Sequence, residues 1–141
     1  MSDTKQMTGR CLCGSVTYSM AEQIEDYGVC HCDMCRRWAG GPFFATHDTK
    51  EIEFTGEEHV GRYNSSEWAE RGFCKTCGSS LFYYLIPTGQ YMMAVGTLDN
   101  QTNLAMNTQV FIDEKPASYD FANETTTMTG EEVFAFYAPK D

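Results

Sequence analysis

Seven cysteines in 141 residues constrain this chain more than any other feature of its sequence. They fall into three short groups: Cys11 with Cys13, Cys30 with Cys32 and Cys35, and Cys74 with Cys77. An odd number of cysteines cannot pair completely in disulfides, and closely spaced thiols in a reducing compartment more often bind metal. The spacing therefore favours metal sites, with disulfides as the alternative.

The two outer pairs fit one closed metal site. Structural zinc takes four protein ligands, commonly thiolates that arrive as two close pairs from distant parts of a chain. We therefore predict a structural zinc site on Cys11, Cys13, Cys74 and Cys77. Such a site would join two distant segments and stabilise the fold across the long loop between them.

The central group contains one cysteine too few to close a zinc site. Cys30, Cys32 and Cys35 can hold one zinc ion in three positions and leave the fourth to water or substrate, which distinguishes catalytic from structural zinc. We therefore predict a catalytic zinc site on these three residues. A different partition of the seven thiols also stays open, because spacing alone does not fix which cysteines converge.

A histidine could close the central site instead. His31 is predicted to point away from Cys30 and Cys32, because neighbouring residues in extended backbone face opposite sides. His47 and His59 remain alternatives as fourth ligand, in which case both sites would be structural.

The ligand type indicates which chemistry the central site would favour. Three thiolates around Zn²⁺ carry a net charge of −1, so the metal would polarise a carbonyl poorly and would favour another sulfur. We therefore predict binding and activation of a thiol whose sulfur adds to a small aldehyde or leaves such an adduct.

The charge of the chain excludes several classes of partner. With 20 acidic and 10 basic residues the net charge is −10, which disfavours nucleic acid and anionic membranes. The first ten residues lack a signal peptide pattern, and no stretch approaches the ~20 apolar residues of a membrane span. We expect a single domain over residues 1–141 and a cytoplasmic location.

Period-two alternation and turn residues predict a mainly β fold with antiparallel sheets. Strands are predicted at 10–20, 27–29, 43–47, 50–55, 59–64, 81–86, 91–95 and 108–112, and residues 69–73 lead into the pair Cys74 and Cys77. The turn-rich segment 36–42 is predicted to form a loop over the central cysteines. For 130–138 the pattern leaves helix and strand equally open.

Three motifs resemble a known family. Residues 10–18 (RCLCGSVTY), 30–36 (CHCDMCR) and 73–79 (FCKTCGS), together with Gly96-Thr97-Leu98-Asp99, resemble the glutathione-dependent formaldehyde-activating enzyme family over about 9–121. One departure lies in Lys115-Pro116-Ala117-Ser118-Tyr119, where Ser118 stands at a position that is usually tryptophan in the family.

The resemblance implies a mainly β fold of the Mss4-like (β-tent) type, held together by a structural zinc on Cys11, Cys13, Cys74 and Cys77. It also implies a catalytic zinc on Cys30, Cys32 and Cys35. The associated activity is that of a carbon–sulfur lyase, which interconverts S-(hydroxymethyl)glutathione with glutathione and formaldehyde. The implied partners are a small thiol such as glutathione and a small aldehyde. Because one fold serves many functions, a non-enzymatic zinc-binding module or a thiol or metal sensor remains the alternative.

Several side chains are candidates for contacts around the central site. Arg36 and Arg37 could bind the carboxylates of the thiol or lie in solvent, and Trp38, Phe43 and Phe44 could line the site or belong to the core.

Other side chains carry weaker predictions. Tyr83 and Tyr84 are expected either to pack in the core or to pack behind the metal ligands. Glu67, Glu70 and Asp99 are the first carboxylates to test for proton transfer.

Overall fold

The computed structural model describes residues 7–138, and these form a mainly β protein with eleven strands and two helices, as the sequence predicts. The strands and helices in chain order are β1 Met7–Arg10, β2 Thr17–Met20, β3 Asp26–Cys30, α1 Asp33–Ala39, β4 Phe43–Thr46, β5 Ile52–Thr55, β6 Val60–Ser66, β7 Ala69–Cys74, β8 Ser80–Leu85, β9 Gln90–Met93, β10 Ala105–Val110, β11 Thr126–Met128 and α2 Gly130–Tyr137. Within these described residues, neither helix has the length and apolar character needed to span a bilayer.

The first sheet has the order β1-β2-β5 and is antiparallel throughout. The predicted continuous strand over 10–20 is wrong, because the chain turns between Cys11 and Gly14, whose N–H donates to the Cys11 carbonyl over 3.2 Å. Gly14 adopts a left-handed conformation with φ of 85°, which glycine enters without steric cost. Val16, Tyr18 and Met20 alternate with polar residues in the sequence, and all three side chains are buried, as the period-two pattern of a half-buried strand predicts.

A second sheet is an antiparallel meander of β6, β7, β8 and β9. Its register pairs Gly72 with Phe82 and Arg71 with Tyr83, so neighbouring residues of β7 contribute to opposite faces of the sheet. Phe82 belongs to the main core that this sheet forms with the first one. Arg71 and Tyr83 therefore lie on the face opposite that core.

The third sheet departs from the antiparallel prediction. It has the order β11-β10-β3-β4, in which β10 runs parallel to both β3 and β11, and only β3 and β4 pair antiparallel. Parallel neighbouring strands require a long connection. Residues 31–104 connect the end of β3 to the start of β10. This arrangement places the end of β3, at Cys30, beside Val110.

The predicted loop over 36–42 is also wrong in its first half, since α1 occupies Asp33–Ala39. The Cys32 sulfur accepts the N–H of Cys35 and caps the helix, and Asp33 lies in the favourable first turn. Gly40 ends the helix in a left-handed conformation with φ of 84°. Two cysteines of the central group are thus fixed by the start of a helix.

The C-terminal segment, for which helix and strand were equally open, is helical. The Thr129 hydroxyl accepts the N–H of Glu132, and the Glu132 carboxylate accepts the N–H of Thr129. This reciprocal capping box fixes the start of α2. The helix lies beside Phe111, because Gly130 contacts that ring and Phe134 packs edge-on against it.

Replacing Gly9 by alanine is expected to destabilise the fold by roughly 1–3 kcal/mol, the usual cost of an overpacked core. A Cβ atom there would clash with the Tyr18 ring and lie 2.6 Å from the Thr97 carbonyl oxygen. Chemical denaturation measures the change in the free energy of unfolding.

The matched control is Gly96→Ala, because a Cβ atom at Gly96 meets nothing within 4 Å. Equal stability of the two variants would contradict the close approach of Gly9 to Tyr18.

Candidate metal centres

The two outer cysteine pairs converge as the sequence predicts. The four sulfurs of Cys11, Cys13, Cys74 and Cys77 all lie within 4.8 Å of one another, so this four-cysteine group could hold a metal ion. The Cys13 sulfur lies 3.7 Å from that of Cys11 and 3.8 Å from that of Cys74. Tetrahedral zinc with Zn–S bonds of about 2.3 Å has S···S edges of about 3.8 Å. The observed separations fit zinc.

Hydrogen bonds to sulfur further adapt this group to hold thiolates. The Cys74 sulfur accepts the N–H groups of Thr76 and Cys77, at 3.3 and 3.4 Å, and the Cys11 sulfur accepts that of Val16 at 3.4 Å. The Ser79 hydroxyl, 3.1 Å from the Cys77 sulfur, lowers the pKa of that thiol to about 5, with help from backbone N–H groups. Donors aimed at sulfur favour the ionised form that binds metal.

The central cysteines also converge. The sulfurs of Cys30, Cys32 and Cys35 lie within 4.8 Å of one another, and no histidine, aspartate or glutamate of residues 7–138 joins them at that distance. Cys30 ends β3, Cys32 caps α1, and Cys35 follows in the first turn of the helix. This triplet could hold a metal ion through three protein ligands.

Contacts among the three thiols distribute their protons unequally. Hydrogen bonds from the Cys30 and Cys35 thiols lower the pKa of Cys32 to about 2. Contacts with Cys32 and Cys35, together with burial, raise the pKa of Cys30. Within the triplet, Cys32 is thus the thiol whose ionised form the neighbouring thiols favour most, and a bound metal would displace the remaining protons.

The three histidines do not complete the triplet. His31 points away, as predicted: its Nε2–H donates to the Gln109 side-chain oxygen, and its Nδ1 accepts from the Tyr119 hydroxyl, both over 2.8 Å. Burial lowers the pKa of His31, so the ring is neutral. His47 contacts Asn107 and Asp26, and His59 contacts Thr76 and Glu58.

The His31 contacts hold the approach of β3 to the triplet in place, and sequence inspection missed them. Gln109 lies on β10 and donates in turn to the Thr125 hydroxyl over 2.9 Å. His31 lies between Cys30 and Cys32 in the sequence, and its imidazole links β10 to the segment around Tyr119. Its buried ring and satisfied nitrogens make it a support for the metal ligands, and the family motif gave no sign of these partners.

An apolar wall surrounds the triplet. Trp38, Phe43, Tyr83 and Phe111 pack with it, and the Trp38 and Phe43 rings meet nearly edge-on at 5.3 Å. Burial raises the pKa of Tyr83 to about 12, so its hydroxyl stays protonated.

Two other aromatic candidates lie away from the triplet. Phe44, on the other face of β4, packs against Tyr27 and Phe121. Tyr84 packs against Tyr91 on the core side of its sheet.

Among the described residues, one cation donates to a sulfur of the triplet, and it is not one of the predicted pair. Arg71 donates from Nη1 to the Cys35 sulfur over 3.4 Å and is only 2% exposed. Its guanidinium lies over the Trp38 and Tyr83 rings, at 5.4 and 5.1 Å from their centroids. Arg71 lies on β7, in the segment that leads into Cys74 and Cys77, and no pattern in the sequence singled it out.

The arginines named from the sequence have other partners. Arg36 donates to the His31 carbonyl over 2.8 Å, and the exposed Arg37 pairs with Asp33 at 3.0 Å. Their role in binding the thiol remains a prediction.

Two of the carboxylates also make contacts of their own. Glu70 pairs with Arg62 at 3.1 Å, and Asp99 accepts from Thr8 over 2.7 Å. A proton-transfer role for Glu67, Glu70 or Asp99 remains a prediction.

Comparison with known proteins agrees with the motif resemblance. The family model described as glutathione-dependent formaldehyde-activating enzyme matches residues 6–114, well over half of the chain. The chain belongs to this family. The match includes all seven cysteines and ends before α2.

Individual relatives support the assignment. A Schizosaccharomyces pombe protein named as an uncharacterized lyase is 37% identical over 126 residues, covering 89% of this chain and 92% of its own. A Halomonas elongata protein, named as a candidate glutathione-dependent formaldehyde-activating enzyme, is 29% identical over 87 residues, 55% of each chain.

A crystal structure of a Rhodobacter sphaeroides protein shares the fold. It has a TM-score of 0.54 at 23% identity, over 72% of this chain and 100% of that one.

Replacing Cys74 or Cys35 by serine is expected to separate the two centres. Cys74→Ser should abolish cooperative unfolding together with metal binding by the four-cysteine group, because that residue is fully buried in the main core. Cys35→Ser should lose one equivalent of metal and still unfold cooperatively. Metal analysis and thermal unfolding followed by circular dichroism measure both effects. Equal loss of folding in the two variants would contradict the division into a structural and a functional group.

Proposed function

We propose that this protein is a zinc-dependent carbon–sulfur lyase that interconverts S-(hydroxymethyl)glutathione with glutathione and formaldehyde, acting in the cytoplasm. The observation that carries the proposal is the triplet itself, with three convergent sulfurs and no fourth protein ligand among the described residues. Family membership and the name of the S. pombe relative support lyase chemistry. The four-cysteine group would hold a structural zinc in the same protein.

The proposed reaction breaks one carbon–sulfur bond. The hydroxyl group of the adduct gives up its proton, the oxygen electrons form the carbonyl of formaldehyde, and the electron pair of the broken bond remains on the sulfur of glutathione. The reverse direction adds a thiolate to the aldehyde. Both directions require the sulfur to be stabilised as an anion, and zinc bound by three thiolates would supply a soft centre that favours sulfur.

The chain contributes position and environment to this chemistry. Cys32 and Cys35 are fixed by the first turn of α1, and Cys30 by the β3–β10 pairing, so the three sulfurs converge before any ligand binds. Trp38, Phe43, Tyr83 and Phe111 pack against them and shield them from part of the solvent. In a site with little water, interactions with a developing thiolate are stronger than in solution.

The test is turnover of glutathione and formaldehyde, followed by exchange spectroscopy with ¹³C-labelled formaldehyde. The zinc-loaded protein is expected to accelerate adduct formation and breakdown above the spontaneous rate. Cys35→Ser should lose at least about 100-fold, because changes in the second shell of a metal site already cost 10–100-fold and a ligand should cost more. Met34→Ser, at an exposed neighbour on the same helix, is the matched control and should retain activity.

Thiol selectivity distinguishes the proposed enzyme from a sensor or binding module. Glutathione, cysteine and 2-mercaptoethanol should be compared at equal thiolate concentration. Acceleration with glutathione above the two smaller thiols is expected. Tight thiol or metal binding without acceleration for any of the three would overturn the proposal and favour the non-enzymatic alternative.

A further inference from the structure

The structure buries one arginine against the triplet in an unusual environment. Arg71 is 2% exposed, and its Nε–H has no hydrogen-bond partner within residues 7–138. Fully buried arginines are rare unless an anion compensates their charge, because removing a cation from water is costly. The partner of this charge therefore has to be found among the groups that touch it.

No carboxylate in the described part of the chain forms an ion pair with Arg71. Its contacts are the faces of Trp38 and Tyr83 and, at 3.4 Å from Nη1, the Cys35 sulfur. Aromatic faces attract a cation but carry no net charge. Tyr83 stays protonated, so within residues 7–138 the contact of Arg71 that can carry a negative charge at neutral pH is the Cys35 sulfur of the triplet.

The sheet register explains why the guanidinium reaches this position. Arg71 and Tyr83 are direct partners on β7 and β8, so the tyrosine ring supports the guanidinium from its own sheet. Trp38 contacts it from α1, the helix that carries Cys35. The arginine is thus fixed between the meander and the helix, with a donor toward sulfur.

The charges of the loaded site complete the argument. Three thiolates and Zn²⁺ sum to −1, and a thiolate substrate as fourth ligand would bring the sum to −2. An uncompensated negative charge behind an apolar wall is unfavourable. A guanidinium in contact with one of the sulfurs offsets one unit of that charge without entering the metal's coordination sphere.

We propose that Arg71 is the counterion of the Cys30, Cys32 and Cys35 centre, a positioning residue that stabilises its anionic, metal-binding form through Cys35. This inference rests on the proposed zinc site at the triplet. In this proposal a residue of β7 increases the metal affinity of a site whose cysteines lie on β3 and at the start of α1. A purely structural role, as a link between the sheet and the helix, is the competing explanation.

The test measures zinc affinity by competition with a chromophoric chelator, for each of the two metal equivalents. Arg71→Met keeps the length of the side chain and removes its charge. The zinc equivalent at the triplet is identified as the one that Cys35→Ser lacks. In Arg71→Met this equivalent should bind about 10–100-fold more weakly, the usual cost of losing a group behind the metal ligands. The other equivalent should be unchanged. Arg71→Lys should restore part of the affinity, because it keeps the charge and loses the planar donor array.

Cobalt substitution supplies a second measurement that does not depend on activity. The sulfur-to-cobalt charge-transfer absorption of the triplet should appear at higher cobalt concentration in Arg71→Met. Arg62→Met is the matched control, because Arg62 also lies over aromatic rings, those of Phe82, Tyr84 and Tyr91, but contacts no cysteine. It should leave both metal equivalents unchanged.

The possible outcomes separate this proposal from the proposed function. Wild-type affinity for both equivalents in Arg71→Met would reject the counterion role and leave the enzyme proposal intact. Parallel loss of both equivalents and of thermal stability would reject it in favour of the structural explanation. A wild-type protein that binds one equivalent only, at the four-cysteine group, would reject the zinc site at the triplet and the counterion proposal with it.

Discussion

The convergence of sulfur atoms from distant segments is the constraint on which this structure depends. The turn after β1 and the turn after β7 bring four cysteine sulfurs within 4.8 Å of one another. Backbone N–H groups that follow these turns' cysteines donate to the sulfurs of Cys11 and Cys74. Both turns use glycine in the left-handed conformation, Gly14 and Gly78. Cys11 and Cys74 are also buried in the main core. A metal ion bound by the four cysteines would therefore hold together the two antiparallel sheets that the core packing already joins.

The triplet is built differently, and the difference explains why it suits function. Its cysteines come from a strand end and a helix start, and the side chains around them come from α1, β4, the meander and the segment after β10. His31 contacts Gln109 and Tyr119 behind the triplet, and Arg71 contacts Cys35. The three sulfurs are thus positioned by two different elements, and the proposed counterion comes from a third.

Much of this arrangement could be predicted from the sequence because it is local. The spacing of the cysteines grouped them as the structure does, and the alternation of Val16, Tyr18 and Met20 identified the buried face of β2. The helix α1 was missed because seven residues carry too little periodicity, and its cap is a cysteine sulfur in place of the usual oxygen. The capping box of α2 was readable in Thr129 and Glu132 but was not used, so that segment stayed undecided.

The remaining features depend on contacts that no local pattern encodes. The parallel pairing of β10 with β3 joins residues that are distant in sequence, and it creates the His31–Gln109 contact. No sequence pattern singled out Arg71, because its contact with Cys35 follows from how the meander meets α1. Arg36 and Arg37 are nearer in sequence to the triplet, and yet they contact a backbone carbonyl and Asp33.

The most direct test of the central claim is the sulfur coordination number of zinc, measured by X-ray absorption at the zinc edge with and without glutathione. A protein with one four-cysteine and one three-cysteine centre should show about 3.5 sulfur ligands per zinc, the mean of four and three, and about 4 when a thiol substrate is added. A value of about 4 before glutathione is added, or a value that glutathione leaves unchanged at about 3.5, would contradict the account of the triplet as a thiol-activating centre.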